Sequence, residues 1–305
     1  MMLTIGTRGS GLALAQASWV ERNLAARFPQ VGLAVRIIHT SADRDTTTSI
    51  RSGSATGVFV KEIEEALLKG EIDLAVHSMK DLPTRIPEAL EIGAIPARED
   101  ARDALIGRSP GIRLPDLPPG AVIGTGSVRR QAQVLALRPD LAARDIRGNV
   151  GTRLSKLDAG GYDAIILACA GLRRLGLEDR ISMALDLDVM LPAPGQGALA
   201  LEIRKGDARV SSMVAALHDP AAAVAVLAER AFLRRVGGGC NSPVAVHAWP
   251  AGDILEIRGL IATPDGSTLL RDAANCPPAA AVETAAALAE RILARGGSKI
   301  LESLN

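Results

Sequence analysis

The sequence contains the same structural unit twice, and this repeat constrains the fold more than any other feature. Each copy contains a short apolar strand with Ile-Gly-Thr, then a tight loop, then a helix. A serine precedes the first turn of each predicted helix, and a proline follows its last turn. The copies occupy residues 3–28 and 121–137, and the serines are Ser10 and Ser127. Because strand, loop and helix in this order are typical of α/β structure, the repeat predicts two related α/β domains.

A second pair of matching segments follows in the same order, at residues 67–76 and 157–166. Each contains a helix end, a glycine turn, an aspartate and a short apolar strand. The spacing from serine to aspartate is longer in the first copy, which includes a Ser-, Thr- and Asp-rich loop at residues 41–56. This unequal spacing argues against a solenoid and indicates two α/β domains with different insertions.

From about residue 219 the pattern changes to an alanine-rich helix, alternating strands with an Asp265-Gly266 hairpin signal, and a last helix. This pattern predicts a small α+β domain at the C-terminal end. Proline and glycine concentrate at residues 109–120 and 191–197, where regular structure is interrupted. We expect three domains: residues 1–98 with 199–217, residues 99–198, and residues 218–305.

Composition excludes several classes of function. Lys and Arg total 35 against 34 Asp and Glu, whereas a general nucleic-acid binder carries a basic excess. Aromatic residues make up 2%, too few to stack single-stranded bases. Three cysteines do not make a disulfide framework, and the four histidines lack metal-ligand spacing, so no metal is expected. No signal peptide and no apolar run of about 20 residues is visible, so we expect a cytoplasmic protein without a membrane partner.

Arginine dominates the basic residues, because only six of the 35 are lysine. Arg8 lies in the loop of the first repeat, and Arg129 and Arg130 lie in the first turn of the second helix. A helix N-terminus attracts anions, and arginine forms paired hydrogen bonds with carboxylates. We therefore expect the two loops to line a shared cleft for anionic groups. Taken alone, any one of these arginines is better explained as a solvated surface group.

Further arginines follow predicted strands. Arg147 and Arg153 flank a Gly-Asn turn, and Arg174 comes after the apolar strand of the second domain. Open α/β sheets bind their ligands at such strand ends. These positions therefore add to the predicted anion site.

Two other segments carry chemistry. Lys80 and Asp81 follow the strand at residues 74–76, where a carboxylate could stabilise a cationic intermediate or shuttle protons. A turn-capping aspartate beside an exposed lysine is the alternative. Cys240 follows three glycines in an uncrowded loop that suits a covalent attachment point. An incidental cysteine in a flexible loop remains possible.

Taken together, these motifs resemble the porphobilinogen deaminases, also called hydroxymethylbilane synthases. The similarity runs in order from residue 3 to about residue 246, and the remaining residues are less diagnostic. The matching segments are Thr7-Arg8-Gly9-Ser10, Gly57-Val58-Phe59-Val60-Lys61-Glu62, His77-Ser78-Met79-Lys80-Asp81, Gly124-Thr125-Gly126-Ser127-Val128-Arg129-Arg130, Arg147-Gly148-Asn149-Val150-Gly151-Thr152-Arg153, Pro194-Gly195-Gln196-Gly197-Ala198, Glu229-Arg230 and Gly238-Gly239-Cys240.

The resemblance implies an activity, a fold and a cofactor. Four porphobilinogen molecules would condense head to tail with loss of ammonia, and water would release the linear tetrapyrrole hydroxymethylbilane. Two α/β domains would resemble periplasmic binding proteins, and the third would carry the cysteine. A dipyrromethane cofactor, made from the substrate, would be bound covalently to Cys240. The protein would be a monomer, with porphobilinogen as its small-molecule partner.

The resemblance also implies a role for each candidate site residue. Asp81 would be catalytic, accepting hydrogen bonds from pyrrole N–H groups and stabilising the positive azafulvene formed as each amine departs. Phe59 would belong to a mobile loop near the active site. The residues that hold the cofactor besides Cys240 would be Lys80, Ser127, Arg129 and Arg130. Those that bind the substrate would be Arg8, Ser10, Thr125, Arg147, Arg153 and Arg174.

The chain departs from the family pattern at three positions. Thr56 stands where a lysine is common before Phe59, which puts a cationic role of that loop in doubt, while Ser242 and Arg173 are smaller changes. Two other classes stay open. A solute-binding or ligand-sensing protein explains the anion loops and leaves the Gly-Cys segment unexplained. A thiol enzyme would use Cys240 as an ordinary nucleophile.

Overall fold

The computed structural model describes residues 2–40, 60–109, 111–237 and 242–304. Within these ranges the strands are β1 (Met2–Thr7), β2 (Gly32–Ile37), β3 (Leu74–Ser78), β4 (Leu90–Ala94), β5 (Asp103–Gly107), β6 (Val122–Gly124), β7 (Ala142–Arg144), β8 (Ala164–Ala168), β9 (Met183–Ala184), β10 (Leu199–Arg204), β11 (Val244–Ala251), β12 (Ile254–Ala262) and β13 (Leu269–Cys276). The α-helices are α1 (Gly11–Arg27), α2 (Lys61–Leu68), α3 (Val128–Leu137), α4 (Val150–Asp158), α5 (Cys169–Arg174), α6 (Ala208–Ala215), α7 (Pro220–Val236), α8 (Ala281–Ile292) and α9 (Ser298–Glu302).

The chain forms two compact units. One comprises Met1–Glu99 and Ala198–Ala223, and the other comprises Asp100–Gly197 and Val224–Asn305. The second unit contains both the second α/β sheet and the small C-terminal sheet. A division into three domains with the boundaries given above stays a prediction.

The two α/β sheets have the same topology. The strand order is β2-β1-β3-β10-β4 in the first sheet and β7-β6-β8-β5-β9 in the second. In each, three parallel strands are followed by one antiparallel strand, β10 or β5, that is far in sequence from the strand it pairs with, β3 or β8. This arrangement confirms the predicted α/β class and explains the sequence repeat.

The repeat extends to single hydrogen bonds. Asp73 Oδ2 accepts from the Thr4 amide at 2.9 Å, and Asp163 Oδ2 accepts from the Val122 amide at 2.8 Å. Each aspartate therefore ties the start of a central strand to its parallel neighbour. The glycine of each Ile-Gly-Thr is required for packing: at Gly124, for example, a Cβ would lie 2.8 Å from the Tyr162 ring.

The central strands of the first sheet, β1, β3 and β10, are buried on both faces, because their apolar side chains alternate between the two faces. Leu3 and Ile5 of β1 pack with Val20 and Leu24 of α1 on one face. Helix α2 covers the other face with Ile63 and its neighbours. The carboxyl ends of the parallel strands lie at one edge of this sheet, where the loops that carry the predicted site begin.

The C-terminal sheet consists of β11, β12 and β13, all antiparallel. Helices α7 and α8 bury Phe232, Leu288 and Ile292 against Ile257 and other residues of this sheet. The predicted hairpin is present, since the Thr263 amide donates to the Thr268 carbonyl at 2.9 Å. These elements confirm a small α+β region.

Within the described ranges, no single helix is long and apolar enough to cross a membrane. Helices α6 and α7 reach the required length and hydropathy only as a pair, bent by 110° at the break between them.

Candidate active site

Lys80 and Asp81 lie at the carboxyl end of β3, in a tight turn of 3-10 geometry at Met79–Asp81. Two backbone bonds hold this turn: the Met79 amide donates to the Ala198 carbonyl at 3.0 Å, and the Leu82 amide donates to the Met79 carbonyl at 3.2 Å. Met79 is buried, whereas Lys80 and Asp81 are half-buried. The turn therefore presents one carboxylate and one ammonium group at the sheet edge.

The side chain of Ser78 fixes the last residue of β3 from the α1 side. Gln16, buried on α1, lies with its Nε2 2.9 Å and its Oε1 3.2 Å from Ser78 Oγ, so the two side chains exchange donor and acceptor roles. Sequence reasoning missed Gln16. The available signal was a polar residue on the otherwise apolar, sheet-facing stripe of α1.

Another buried contact lies behind the turn, on the face that α2 covers. His77 Nε2 of β3 lies 2.9 Å from Glu202 Oε2 of β10. Burial, and then the charge of Glu202, raises the pKa of the nearby Glu64 to about 7, and His77 acts in the opposite direction. Sequence reasoning also missed Glu64 and Glu202. The available signal for Glu202 was an acidic residue inside the apolar strand β10.

The loop that carries Arg8 ends at the predicted helix cap. Ser10 Oγ accepts from the Ala13 amide at 3.2 Å and opens α1, as expected. Because β1 and β3 are parallel neighbours, their following loops lie at the same sheet edge. The first unit thus brings Arg8, Ser10, Lys80 and Asp81 to one edge.

The corresponding loop of the second unit is held by its own hydroxyl groups. Ser127 Oγ accepts from the Arg130 amide at 3.5 Å and caps α3. Thr125, which is buried, accepts from the Ser127 amide at 3.2 Å through its Oγ1. Both residues therefore set the conformation of the helix N-terminus.

Arg129 and Arg130 surround one buried carboxylate, that of Asp103 on β5. Arg129 Nη1 donates to Asp103 Oδ2 at 2.7 Å, and Arg130 Nη2 donates to Asp103 Oδ1 at 2.7 Å. Gln196 Nε2 adds a third contact at 2.9 Å. Burial acts to raise the pKa of Asp103, but the two guanidinium charges outweigh it and hold that pKa far below its usual range.

Sequence reasoning missed Asp103, whose signal was an acid at the start of the apolar strand Asp103–Gly107. Removing one partner from a buried ion pair costs about 3–5 kcal/mol, because it leaves the other charge uncompensated. Asp103 therefore stabilises the first turn of α3, at the N-terminus where the sequence predicts anion binding.

Arg147 and Arg153 flank the turn before α4, which Asn149 caps by accepting from the Thr152 amide at 2.9 Å. Arg147 Nε donates to Asp145 Oδ2 at 2.8 Å, and Arg153 Nε donates to the Gly148 carbonyl at 2.7 Å. Burial, followed by the charge of Arg130, lowers the pKa of Arg153, while Asp145 opposes this shift. Arg153 therefore lies near two other guanidinium groups, those of Arg130 and Arg147, and near the carboxylate of Asp145. Such a group of arginines is suited to binding anionic groups.

Arg174 lies at the end of α5, which follows β8 as the turn with Asp81 follows β3. Its Nη2 donates to the Gly197 carbonyl at 2.7 Å. The neighbouring Arg173 lies 3.2 Å from Asp100 Oδ2. The structure brings Arg174 to the same sheet edge as the Thr125 loop, because β6 and β8 are parallel neighbours.

Cys240, Phe59 and Thr56 lie outside the described residues. Cys169, which follows β8, is buried, and burial raises the pKa of its thiol to about 12. This shift leaves Cys169 unreactive at neutral pH. No cluster of three potential metal ligands occurs in the part of the chain that the structure describes.

Solved structures with a similar backbone include two solute-binding proteins. A putative methionine-binding lipoprotein from Bacillus subtilis has a TM-score of 0.44 and 12% identity, over 72% of this chain and 90% of that one. The second substrate binding domain of a putative amino acid ABC transporter from Streptococcus pneumoniae has a TM-score of 0.44 and 13% identity, over 71% and 92%. At these TM-scores and sequence identities, neither similarity indicates what this chain binds or does.

Sequence comparison is far more specific. Residues 3–212 match the family described as porphobilinogen deaminase, dipyromethane cofactor binding domain, and residues 223–294 match its C-terminal domain. The porphobilinogen deaminase of Thermus thermophilus is 49% identical, over 99% of both chains. That of Syntrophotalea carbinolica is 50% identical, over 99% of this chain and 96% of the other. The chain belongs to the porphobilinogen deaminase family.

Proposed function

We propose that this chain joins four porphobilinogen molecules head to tail on a dipyrromethane primer attached at Cys240, releasing ammonia and hydroxymethylbilane. Family membership supplies the enzyme class, the cofactor and the place in tetrapyrrole biosynthesis. One observation carries the assignment of roles within the chain: Arg130, Arg147 and Arg153 lie near one another, at the start of α3 and around the turn before α4. Each porphobilinogen brings two carboxylates, and a growing chain needs fixed cations to hold them.

The residues of the second unit fit a group that carries several carboxylates, as the dipyrromethane cofactor does. Ser127 and Arg130, at the start of α3, hold carboxylates of the cofactor. The resemblance gives Lys80 the same task. Arg129 contributes by keeping that turn in place through Asp103. When bound, dipyrromethane supplies a covalent end from which the chain grows. The helix N-terminus adds a favourable field of about 0.3–1 kcal/mol for a nearby anion.

Substrate carboxylates bind to the remaining cations and hydroxyl groups. These residues are Arg8, Ser10, Thr125, Arg147, Arg153 and Arg174. Arginine suits this task because its planar guanidinium donates two parallel hydrogen bonds to a carboxylate and keeps its charge at every relevant pH. Their positions at strand ends and helix starts are supported by the topology of both sheets.

Asp81 performs the electrostatic part of the reaction. Its carboxylate accepts hydrogen bonds from pyrrole N–H groups and balances the positive charge that develops on the substrate as ammonia leaves. A carboxylate in a half-buried turn is more effective here than one in water, because it is already oriented and less screened. The bonds that fix Ser78 and Met79 support this role.

The chain acts as a cytoplasmic monomer, without a nucleic-acid or membrane partner. The net charge of +1 supports the absence of a polyanionic partner.

Turnover tests the proposal. Purified protein incubated with porphobilinogen should release one ammonia per substrate consumed and accumulate hydroxymethylbilane. Binding of porphobilinogen without consumption would instead favour the solute-binding alternative.

A further inference from the structure

Three titratable side chains meet behind the turn that carries Asp81. His77 lies on β3, Glu202 on β10 and Glu64 on α2, all on the face of the sheet that α2 covers. Glu202 is 0% exposed and His77 is 5% exposed. His77 Nε2 lies 2.9 Å from Glu202 Oε2. None of the three has a role in the function proposed above.

One oxygen of each carboxylate is left without a partner. Glu64 Oε1 and Glu202 Oε1 are both buried and accept no hydrogen bond within the described ranges. A buried polar atom without a partner is destabilising, and so are two neighbouring ionised carboxylates. A single proton held between the two carboxylates would satisfy both oxygens. The pKa of Glu64, raised to about 7 by burial and by Glu202, keeps such a proton available near neutral pH.

Among the residues that the structure describes, the surrounding elements supply little compensating charge. Helix α2 packs on β1, β3 and β10, and β1 contains no charged residue. The other charged residue of β10 is Arg204, which donates instead to the Leu67 and Ile72 carbonyls at 2.9 and 2.6 Å. Strand β4 places Ile92 opposite Glu202. On α2 itself the other charged residues are Lys61, Glu62 and Glu65.

We propose that Glu64 and Glu202 share one proton, and that this proton positions the end of β3 that carries Lys80 and Asp81. With the proton in place, α2 stays packed on the sheet and Glu202 keeps its bond to His77. When the pH rises, the proton leaves to solvent and the two carboxylates repel each other. Because Glu202 is bonded to His77, the repulsion acts on β3 at His77, four residues before Asp81. Glu64 is therefore a positioning residue. Only this last link, to Asp81, rests on the function proposed above.

Melting temperature across pH tests the shared proton. Glu64→Gln mimics the protonated carboxyl at every pH. Between the usual glutamate pKa of about 4.3 and about 7, the folded parent keeps a proton that the unfolded chain releases, so the parent loses stability as pH rises. The melting temperature of the variant relative to the parent should therefore rise through this window and level off above it. A flat difference would overturn the proposal.

Glu65→Gln is the matched control. It changes an exposed glutamate one residue along α2, and its melting temperature relative to the parent should stay flat above about pH 5. If Glu64→Gln does not fold, Glu202→Gln should show a smaller rise over the same pH window, because it removes the like charge but not the burial of Glu64. The infrared carbonyl band of a protonated carboxylic acid should be present in the parent at pH 6 and lost in Glu64→Gln. Its absence from the parent would also overturn the proposal.

The pH profile of kcat tests the positioning role. The ratio of kcat in Glu64→Gln to kcat in the parent should rise several-fold between about pH 6 and pH 8, while the ratio of KM values stays constant. A kcat ratio that does not change with pH would refute positioning. The melting and infrared measurements need no turnover, so a failure of the proposed function does not hide their result.

Discussion

Arg130 Nη2 donates to Asp103 Oδ1 at 2.7 Å, and both side chains are buried. The adjacent Arg129 binds the other oxygen of the same carboxylate. One acid therefore compensates two arginines of a motif that, from sequence, predicts ligand binding. Because one carboxylate neutralises one of the two guanidinium charges, one positive charge remains at the start of α3. Burial and the charge of Arg130 lower the pKa of the nearby Arg153.

Replacing Asp103 by asparagine should destabilise the protein strongly. The amide keeps the shape but leaves two buried guanidinium groups without a counter-charge, and we expect a loss of about 3–5 kcal/mol in the free energy of unfolding. Denaturant unfolding measures this change. Asp158→Asn removes the partner of Arg180 in an exposed pair of the same unit and should have a far smaller effect.

The ion pairs of Asp103 with Arg129 and Arg130 also predict that the stability of the protein depends on pH. Because the pKa of Asp103 is lowered in the folded state, its stabilising contribution is present above the unfolded pKa of about 3.9 and declines as pH falls towards the folded value. The difference in unfolding free energy between the parent and Asp103→Asn should be constant from about pH 5 to pH 8 and shrink below about pH 4. A difference that shrinks as pH rises would contradict the assignment.

Asp81→Asn should separate binding from turnover. The amide cannot balance the positive charge of the reacting pyrrole, so kcat should fall by about 10²-fold or more, whereas KM should change little. Steady-state kinetics with porphobilinogen measures both. Asp116→Asn is the matched control, because Asp116 is the exposed last residue of a similar three-residue turn, and it should keep parental kcat. A normal kcat in Asp81→Asn would remove this residue from the mechanism.

Reversing the charge of Arg153 should weaken substrate binding and stall chain extension. Arg153→Glu replaces one of three neighbouring guanidinium groups by a carboxylate, so KM should rise and partly extended enzyme should accumulate in mass spectra. Arg180→Glu, on an exposed arginine paired with Asp158, is the control and should behave as the parent. Equal behaviour of the two variants would assign Arg153 to ordinary surface.

Gly124→Ala tests the packing that underlies the repeat. Its new Cβ would lie 2.8 Å from Tyr162 Cδ1, and overpacking of this kind costs about 1–3 kcal/mol. Gly151 in α4 is the control, since its nearest contact would be Asn149 Oδ1 at 3.6 Å. Gly151→Ala should leave stability equal or slightly higher, because alanine favours a helix. Thermal unfolding measures the stability of both variants, and an unchanged stability of Gly124→Ala would contradict the close packing of Gly124 on Tyr162.

The sequence predicted those features whose physical cause is local. The Ile-Gly-Thr strands, the serine caps at Ser10 and Ser127 and the Asp265-Gly266 hairpin each depend on a few consecutive residues. The supporting contacts were missed because their partners are distant in sequence: Asp103 lies 27 residues from Arg130, and Glu202 lies 125 residues from His77. Only the entry of β5 and β10 into the two sheets brings these acids to their partners.

The central claim is that Cys240 carries a covalent primer, and intact-protein mass tests it most directly. Protein purified from a host that makes the cofactor should exceed its sequence mass by two porphobilinogen units less the ammonia lost. This excess should be absent from Cys240→Ala and present in Cys276→Ala, which changes a buried cysteine. An unmodified mass for the parent would contradict the account.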